Sequence, residues 1–215
     1  MCNHPVADVM TRQVFTAGPD TPFREVVTIL VAHDLPALPV IDTMGRPVGV
    51  VTAADAAIKL EFHGGTDLPP LLGGVRCWGR WRKAGGLTAA ELMTTPAPTI
   101  PAGTSVHAAL RHLADHHLAQ VCVVDSEGRL GGVFTHRDAL GTFLRPDSAI
   151  RADLGNRVPA EVTVHVTDGV VTLDGTLYLR SMTDRAASVA ACTFGVIAVH
   201  NDLRYDVDDL TVHGI

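Results

Sequence analysis

Gly49-Val50-Val51-Thr52-Ala53-Ala54-Asp55 decides how this chain is read, because it returns as Gly132-Val133-Phe134-Thr135-His136-Arg137-Asp138. Each copy is a glycine, a short apolar run, a threonine and, three residues on, an aspartate. The apolar run predicts a strand. Thr-x-x-Asp predicts a helix start, where both residue types satisfy free backbone N–H groups. One copy alone would mean no more than a helix cap. The offset of 83 residues, however, holds much further back. Ala7-Asp8-Val9-Met10-Thr11 matches Ala90-Glu91-Leu92-Met93-Thr94, and Asp20-Thr21-Pro22-Phe23 matches Gly103-Thr104-Ser105-Val106. Val40-Ile41-Asp42 matches Val123-Val124-Asp125, and Gly45-Arg46 matches Gly128-Arg129. A register kept without a gap from residue 7 to residue 55 means that one unit is used twice.

Each unit predicts the same succession of elements. Thr21 and Thr104 are N-cap candidates. Behind them Phe23, Val26, Val27, Leu30 and Val31, and in the second copy Val106, Leu110, Leu113 and Leu118, recur at helical spacing. Strands at Ala37–Ile41 and Val121–Val124 lead into Asp/Gly turns at 42–45 and 125–128. Second strands at Val48–Val51 and Leu130–Phe134 run into the Thr-x-x-Asp helices. Between the copies, Gly64-Gly65, Pro69-Pro70, Gly73-Gly74 and Gly85-Gly86 predict a loop or linker over 63–86. Trp78 and Trp81 lie there among Arg76, Arg80, Arg82 and Lys83, a pattern open to membrane-surface or nucleic-acid contact. Packing of the indoles on the repeats or on a partner subunit is the preferred reading, since eight residues are too few for a stable helix alone. After Arg145-Pro146 the pattern changes. A helix over 147–157, a strand Val162–Val166, an Asp168-Gly169 hairpin turn and a strand Val170–Leu173 ended by Asp174-Gly175 are predicted. An Ala-rich helix Arg180–Cys192, closed by Gly195, and a strand Val196–Tyr205 complete the pattern.

The Met-Thr starts, the Leu38-Pro39-Val40-Ile41-Asp42 strand and turn, and the Gly49–Asp55 close together resemble cystathionine-β-synthase (CBS) domains, over about residues 5–62 and 87–145. A tandem pair of these is a Bateman module. Asp168-Gly169-Val170-Val171-Thr172-Leu173-Asp174-Gly175, with Gly195-Val196, Val199, Asn201 and Leu203, resembles the BON domain over about 146–207, leaving 208–215 as a tail. The resemblance implies an α/β (α+β) fold: a CBS pair with pseudo-twofold symmetry plus a small α+β BON-like domain. It also implies two clefts that hold an adenine nucleotide such as AMP, ADP or ATP. Aspartate would take the ribose hydroxyls, and threonine with the helix N-terminal amides would take phosphate. By resemblance, Thr135, His136, Arg137 and Asp138 face Thr11, Val14, Thr16, Leu35, Pro36 and Ala37 in the first-choice cleft. Thr52 and Asp55 face Thr94, Ala97, Thr99, Leu118, Ala119 and Gln120 in the second. His136-Arg137 marks the first for phosphate, whereas Ala53-Ala54 offers the second no charge. Pro36 has no N–H to donate, and Gln120 either fills its slot or reads a base edge.

Composition narrows the class. The chain is 47% hydrophobic and 5% aromatic, so its core is aliphatic. The net charge of −6 argues against nucleic acid as a partner. Residues 147–215 hold 5 Arg and no Lys against 10 Asp and Glu, which argues against attraction to anionic lipid heads. No uncharged apolar run approaches the roughly 20 residues of a spanning helix, and the start Met1–Pro5 does not read as a signal peptide. Cys2, Cys77, Cys122 and Cys192 are scattered, which predicts reduced thiols in a cytoplasmic protein. His107, His112, His116 and His117 share one predicted helix, and His112 and His116 have the spacing of a metal pair. No Cys or Glu completes a set, so a solvated face with no metal is the expectation. No nucleophile elbow, HExxH or Gly-rich loop with Lys is present, and the expectation is no catalytic residue. The chain therefore reads as a non-enzymatic sensor, homodimeric through its CBS pair, with a BON domain for a protein or membrane-surface partner. The alternative is a ligand-independent dimerising scaffold.

Overall fold

The structure is a computed structural model that describes residues 4–65 and 74–210. Residues 4–138 form one compact unit, and the described residues from Ala139 onward form another. The architecture is α+β throughout. The first unit runs through α1 (Phe23–Ala32), β1 (Ala37–Ile41), β2 (Pro47–Thr52), α2 (Ala53–Glu61), α3 (Gly74–Ala84) and α4 (Ala89–Leu92). It continues with β3 (Thr99–Pro101), α5 (Val106–Asp115), β4 (Gln120–Val124), β5 (Leu130–Thr135) and the start of α6 (His136–Gly141). β1 and β2 pair antiparallel, as do β4 and β5, and the two hairpins share one register: Ala37 faces Thr52 as Gln120 faces Thr135.

The repeats are held by exchange of their leading segments. Thr11 exchanges backbone hydrogen bonds with Val133 at 3.0 and 2.9 Å, and Thr94 does so with Val50 at 2.8 and 3.0 Å. The Phe23 N–H at the start of α1 donates to Leu87 O, and the Val106 N–H at the start of α5 donates to His4 O. Each contact is the other shifted by one repeat with the partners swapped, which is a pseudo-twofold axis written in hydrogen bonds. The core reflects the same exchange: Ala89 and Leu92, from the start of the second repeat, are buried with Val26, Leu30, Leu38, Val40 and Val51 of the first. The glycine that opens each motif is required by this crossing. A Cβ on Gly49 would collide with Met93 Sδ, and one on Gly132 would lie 2.7 Å from Met10 Sδ and 2.9 Å from Thr11 O.

In the second unit α7 (Asp147–Gly155) precedes β6 (Thr163–Thr167), β7 (Val170–Leu179), α8 (Arg180–Ala191) and β8 (Ala198–Val207). β7 lies central, antiparallel to β6 and parallel to β8 across α8. Ile150 and Leu154 of α7 are fully buried with Val171, Leu173 and Ala190.

Several expectations are corrected. Ser105, not Thr104, caps α5, its Oγ accepting from Ala108 N at 3.2 Å. Thr21 accepts from Gly18 N within a turn, and the Leu87 carbonyl takes the first N–H of α1 instead. Val31 is 75% exposed, and Ala109 rather than Leu110 is the deeply buried residue of α5 beside Leu113. Asp174-Gly175 does not end β7, because pairing with β8 carries the strand on to Leu179. Residues 66–73, with Pro69-Pro70, lie outside the described residues, but Gly74–Ala84 is helix α3 rather than loop. Packing on α2 supplies what an isolated segment lacks. Cys192 is disulfide-bonded rather than a reduced thiol, while Cys77 and Cys122 are free.

Candidate functional site

Each Thr-x-x-Asp motif is a reciprocal cap. Thr52 N and Oγ1 both donate to Asp55 Oδ2, at 2.9 and 2.7 Å, and Asp55 N donates back to Thr52 Oγ1 at 3.2 Å. Thr135 and Asp138 repeat this at 2.7, 2.7 and 3.3 Å. In both copies Oδ2 is consumed by the helix start, and Oδ1 takes a donor from outside its own repeat. What meets Oδ1 differs. Thr11 Oγ1 donates to Asp138 Oδ1 at 2.7 Å. In the other cleft Thr94 does not reach Asp55. Lys83 of α3 stands between them, its Nζ 2.5 Å from Asp55 Oδ1 and 2.9 Å from Thr94 Oγ1.

Thr11 thus meets Asp138 directly, whereas Thr94 is joined to Asp55 only through Lys83. Ala37 lies opposite Thr52 and Gln120 opposite Thr135 in the strand registers, each beside the motif of its own repeat rather than the motif it was expected to face. Gln120 is buried, and its Nε2 has no hydrogen-bond partner. Thr99 opens β3 and is exposed, and Ala97 is buried. Val14, Thr16, Leu35, Pro36, Leu118 and Ala119 make no side-chain hydrogen bond with either aspartate. His136 and Arg137 are exposed at the start of α6.

The expectation that the Asp55 cleft lacks positive charge is overturned. A cavity of about 850 Å³ opens beside Asp55 and is lined by Arg80, Arg82, Lys83, Glu91, Met93 and Thr95 among others. These cations come from the segment read as a linker, and no local motif links them to Asp55. The clue within the sequence was the helical spacing of Arg76, Arg80 and Lys83. The cavity is not uniformly cationic. Arg80 is ion-paired with Glu61, and Glu91 Oε2 accepts from Leu87 N at 2.6 Å and Thr88 N at 3.2 Å. Those two amides, Leu87 foremost, hold the Glu91 carboxyl below its ordinary range. The His112 and His116 rings lie 4.4 Å apart, but no group of three His, Cys, Asp or Glu suited to a metal occurs among the described residues. No helix among them is long and apolar enough to cross a membrane.

Two copies of one α/β unit trade their leading segments, and each carries an aspartate that caps its own helix with one oxygen and takes an outside donor on the other. The chain belongs to the CBS-domain family: the CBS-domain model matches residues 6–61 and 89–145, and the BON-domain model matches 146–206. It is a tandem CBS protein with a C-terminal BON domain. It is 22% identical over 135 residues to the uncharacterized protein MK0525 of Methanopyrus kandleri, covering 63% of this chain and 60% of that one. It is 26% identical over 199 residues to inosine-5′-monophosphate dehydrogenase of Mycobacterium tuberculosis, covering 92% of this chain but 32% of the enzyme. Among solved structures, CBSX2 in complex with AMP is similar at a TM-score of 0.56 and 26% identity, over 66% of this chain and 97% of that one. The CBS pair of MJ0100, in complex with 5′-methylthioadenosine and S-adenosyl-L-methionine, is similar in fold at a TM-score of 0.51 and 24% identity, over 65% and 95%.

Proposed function

We propose that this protein is a non-enzymatic regulator that binds an adenosine-type ligand, an adenine nucleotide first, in the clefts between its CBS repeats. The observation that carries the reading is the division of labour within each aspartate. One oxygen fastens its own helix, and the other takes a donor from outside its own repeat. A ligand whose ribose diol engages Oδ1 therefore straps the repeats together and shifts the population of their packing. The buried, unpartnered Nε2 of Gln120 supports the same reading, since an orphaned donor is costly until a base edge accepts from it. The likeness to CBSX2, solved with AMP, favours an adenine ligand. The ligand-binding set is the one grouped by the motifs, with Asp138, Thr135 and Thr11 in one cleft and Asp55, Thr52 and Thr94 in the other.

Homodimerisation through the CBS pair belongs to this reading. α1 and α2 leave an apolar groove of about 350 Å³ lined by Phe23, Val27, Val31, Ala57 and Leu60, and Leu60 is 84% exposed. A second copy of this chain would cover it. The BON domain then serves as the output, binding a protein or membrane-surface partner. Melting of the full chain with saturating AMP, ATP, S-adenosylmethionine or NAD tests the proposal. A ligand at about 100 times its Kd adds about 2.7 kcal/mol, a rise of roughly 5–10 °C for a chain of this size. No rise with any of the four contradicts it.

A further inference from the structure

The insert helix is fastened at three points to the helix that carries Asp55. Arg80 is ion-paired with Glu61, Lys59 Nζ donates to Ala84 O at 3.0 Å, and Lys83 Nζ meets Asp55 Oδ1 at 2.5 Å. The seating is close: Ala84 is fully buried, and a Cβ on Gly65 would come within 2.9 Å of the Gly85 backbone. The Lys83 and Asp55 side chains are only 20% and 13% exposed, so this pair is shielded from water rather than a loose surface contact. The first repeat therefore spends its outward carboxylate oxygen on a cation from its own chain. The second repeat spends the equivalent oxygen on a neutral threonine. Beside the pair lies the large cavity, with Arg82 on its wall.

We infer that Lys83 is a gate on the Asp55 cleft that makes this cleft selective for phosphate-bearing nucleosides. The inference rests on the reading that nucleosides bind between the repeats. A neutral nucleoside reaching Asp55 with its ribose hydroxyls must separate a shielded ion pair and leave the ammonium with Thr94 Oγ1 but no anion. A nucleotide brings its own anion. Its diol replaces Lys83 on Asp55 while its phosphate receives Lys83, so the carboxylate stays hydrogen-bonded and the ammonium keeps an anion. The twin cleft has no such condition, because Thr11 is an uncharged donor and its release leaves no cation without an anion. The two clefts thus differ in selectivity through a residue that neither repeat contains.

Calorimetric titration of the full chain carrying Asp138→Ala isolates the gated cleft. AMP is expected to bind at least ten-fold more tightly than adenosine. Adding Lys83→Met is expected to bring the two affinities within about three-fold, with adenosine tightening, and Lys83→Arg is expected to keep the preference. An AMP-to-adenosine ratio unchanged by Lys83→Met overturns the gate and leaves nucleotide binding standing. Binding of neither compound, in this chain or in the unmutated one, overturns the nucleotide reading and the gate with it. Should Lys83→Met not fold, hydrogen exchange on the unmutated chain decides. Saturating AMP must change the protection of amides 77–84, and identical exchange with and without AMP overturns the proposal.

Discussion

Gly49 and Gly132 open the two motifs, yet only the fold shows what they exclude. Around Gly49 the crowding comes from the flexible Met93 side chain, whereas around Gly132 it includes the Thr11 backbone. Gly49→Ala is therefore expected to destabilise at the lower end of about 1–3 kcal/mol and Gly132→Ala at the upper end, measured by urea denaturation. The repeat marked both glycines as equivalent; the difference arises from atoms of the opposite repeat, far away along the chain, and was not legible. The aspartates were legible as caps, since Thr-x-x-Asp needs only local geometry. Which oxygen remains outward, and that Lys83 meets one of them, depends on the fold. Cys122 gives a further residue-scale expectation. Burial pushes its thiol up to about 12, so thiolate is scarce at pH 8. A maleimide should label the half-buried Cys77 in the native chain and reach Cys122 only after denaturation.

At the scale of elements, the hairpin strands of the two repeats read most accurately. β1 begins and ends as its apolar run predicted, and β2, β4 and β5 differ by no more than one residue at either end. Alternation and bounding Asp/Gly turns are local signals. Helix starts slipped by one residue, because the donors at α1 and α5 are satisfied by chain from the opposite repeat. α3 was missed for a related reason: its stability comes from α2. Two carboxylates, Glu91 in the first turn of α4 and Asp125 in the β4–β5 turn, give a pH dependence. Glu91 is held below its ordinary range first by the Leu87 N–H, and Asp125 first by the Arg129 N–H. A depressed folded value means that their stabilisation is complete above the ordinary carboxylate range. It is lost as pH falls through that range towards the lower folded values. Urea midpoints should decline across this interval, and less steeply in a Glu91→Gln/Asp125→Asn chain. At Ser105, loss of the cap by Ser105→Ala is expected to cost about 1 kcal/mol.

For the molecule as a whole, the unbroken offset of 83 residues made the doubled unit and its pseudo-symmetry legible, and the tail domain was legible from its hairpin and βαβ pattern. The symmetry of the backbone does not extend to the clefts. An insert present once, between the repeats, lays cations beside one aspartate and leaves the other to a threonine. Under the proposed function, this asymmetry lets two sites made from one motif distinguish ligands.

The central claim is that the two outward carboxylate oxygens hold a nucleotide between the repeats. Calorimetric titration of AMP into the full chain and into its Asp55→Ala/Asp138→Ala variant tests it most directly. Saturable binding by the unmutated chain that falls at least 100-fold in the folded double variant is the predicted result. Equal affinity in the two chains, or no binding by the unmutated one, would contradict it.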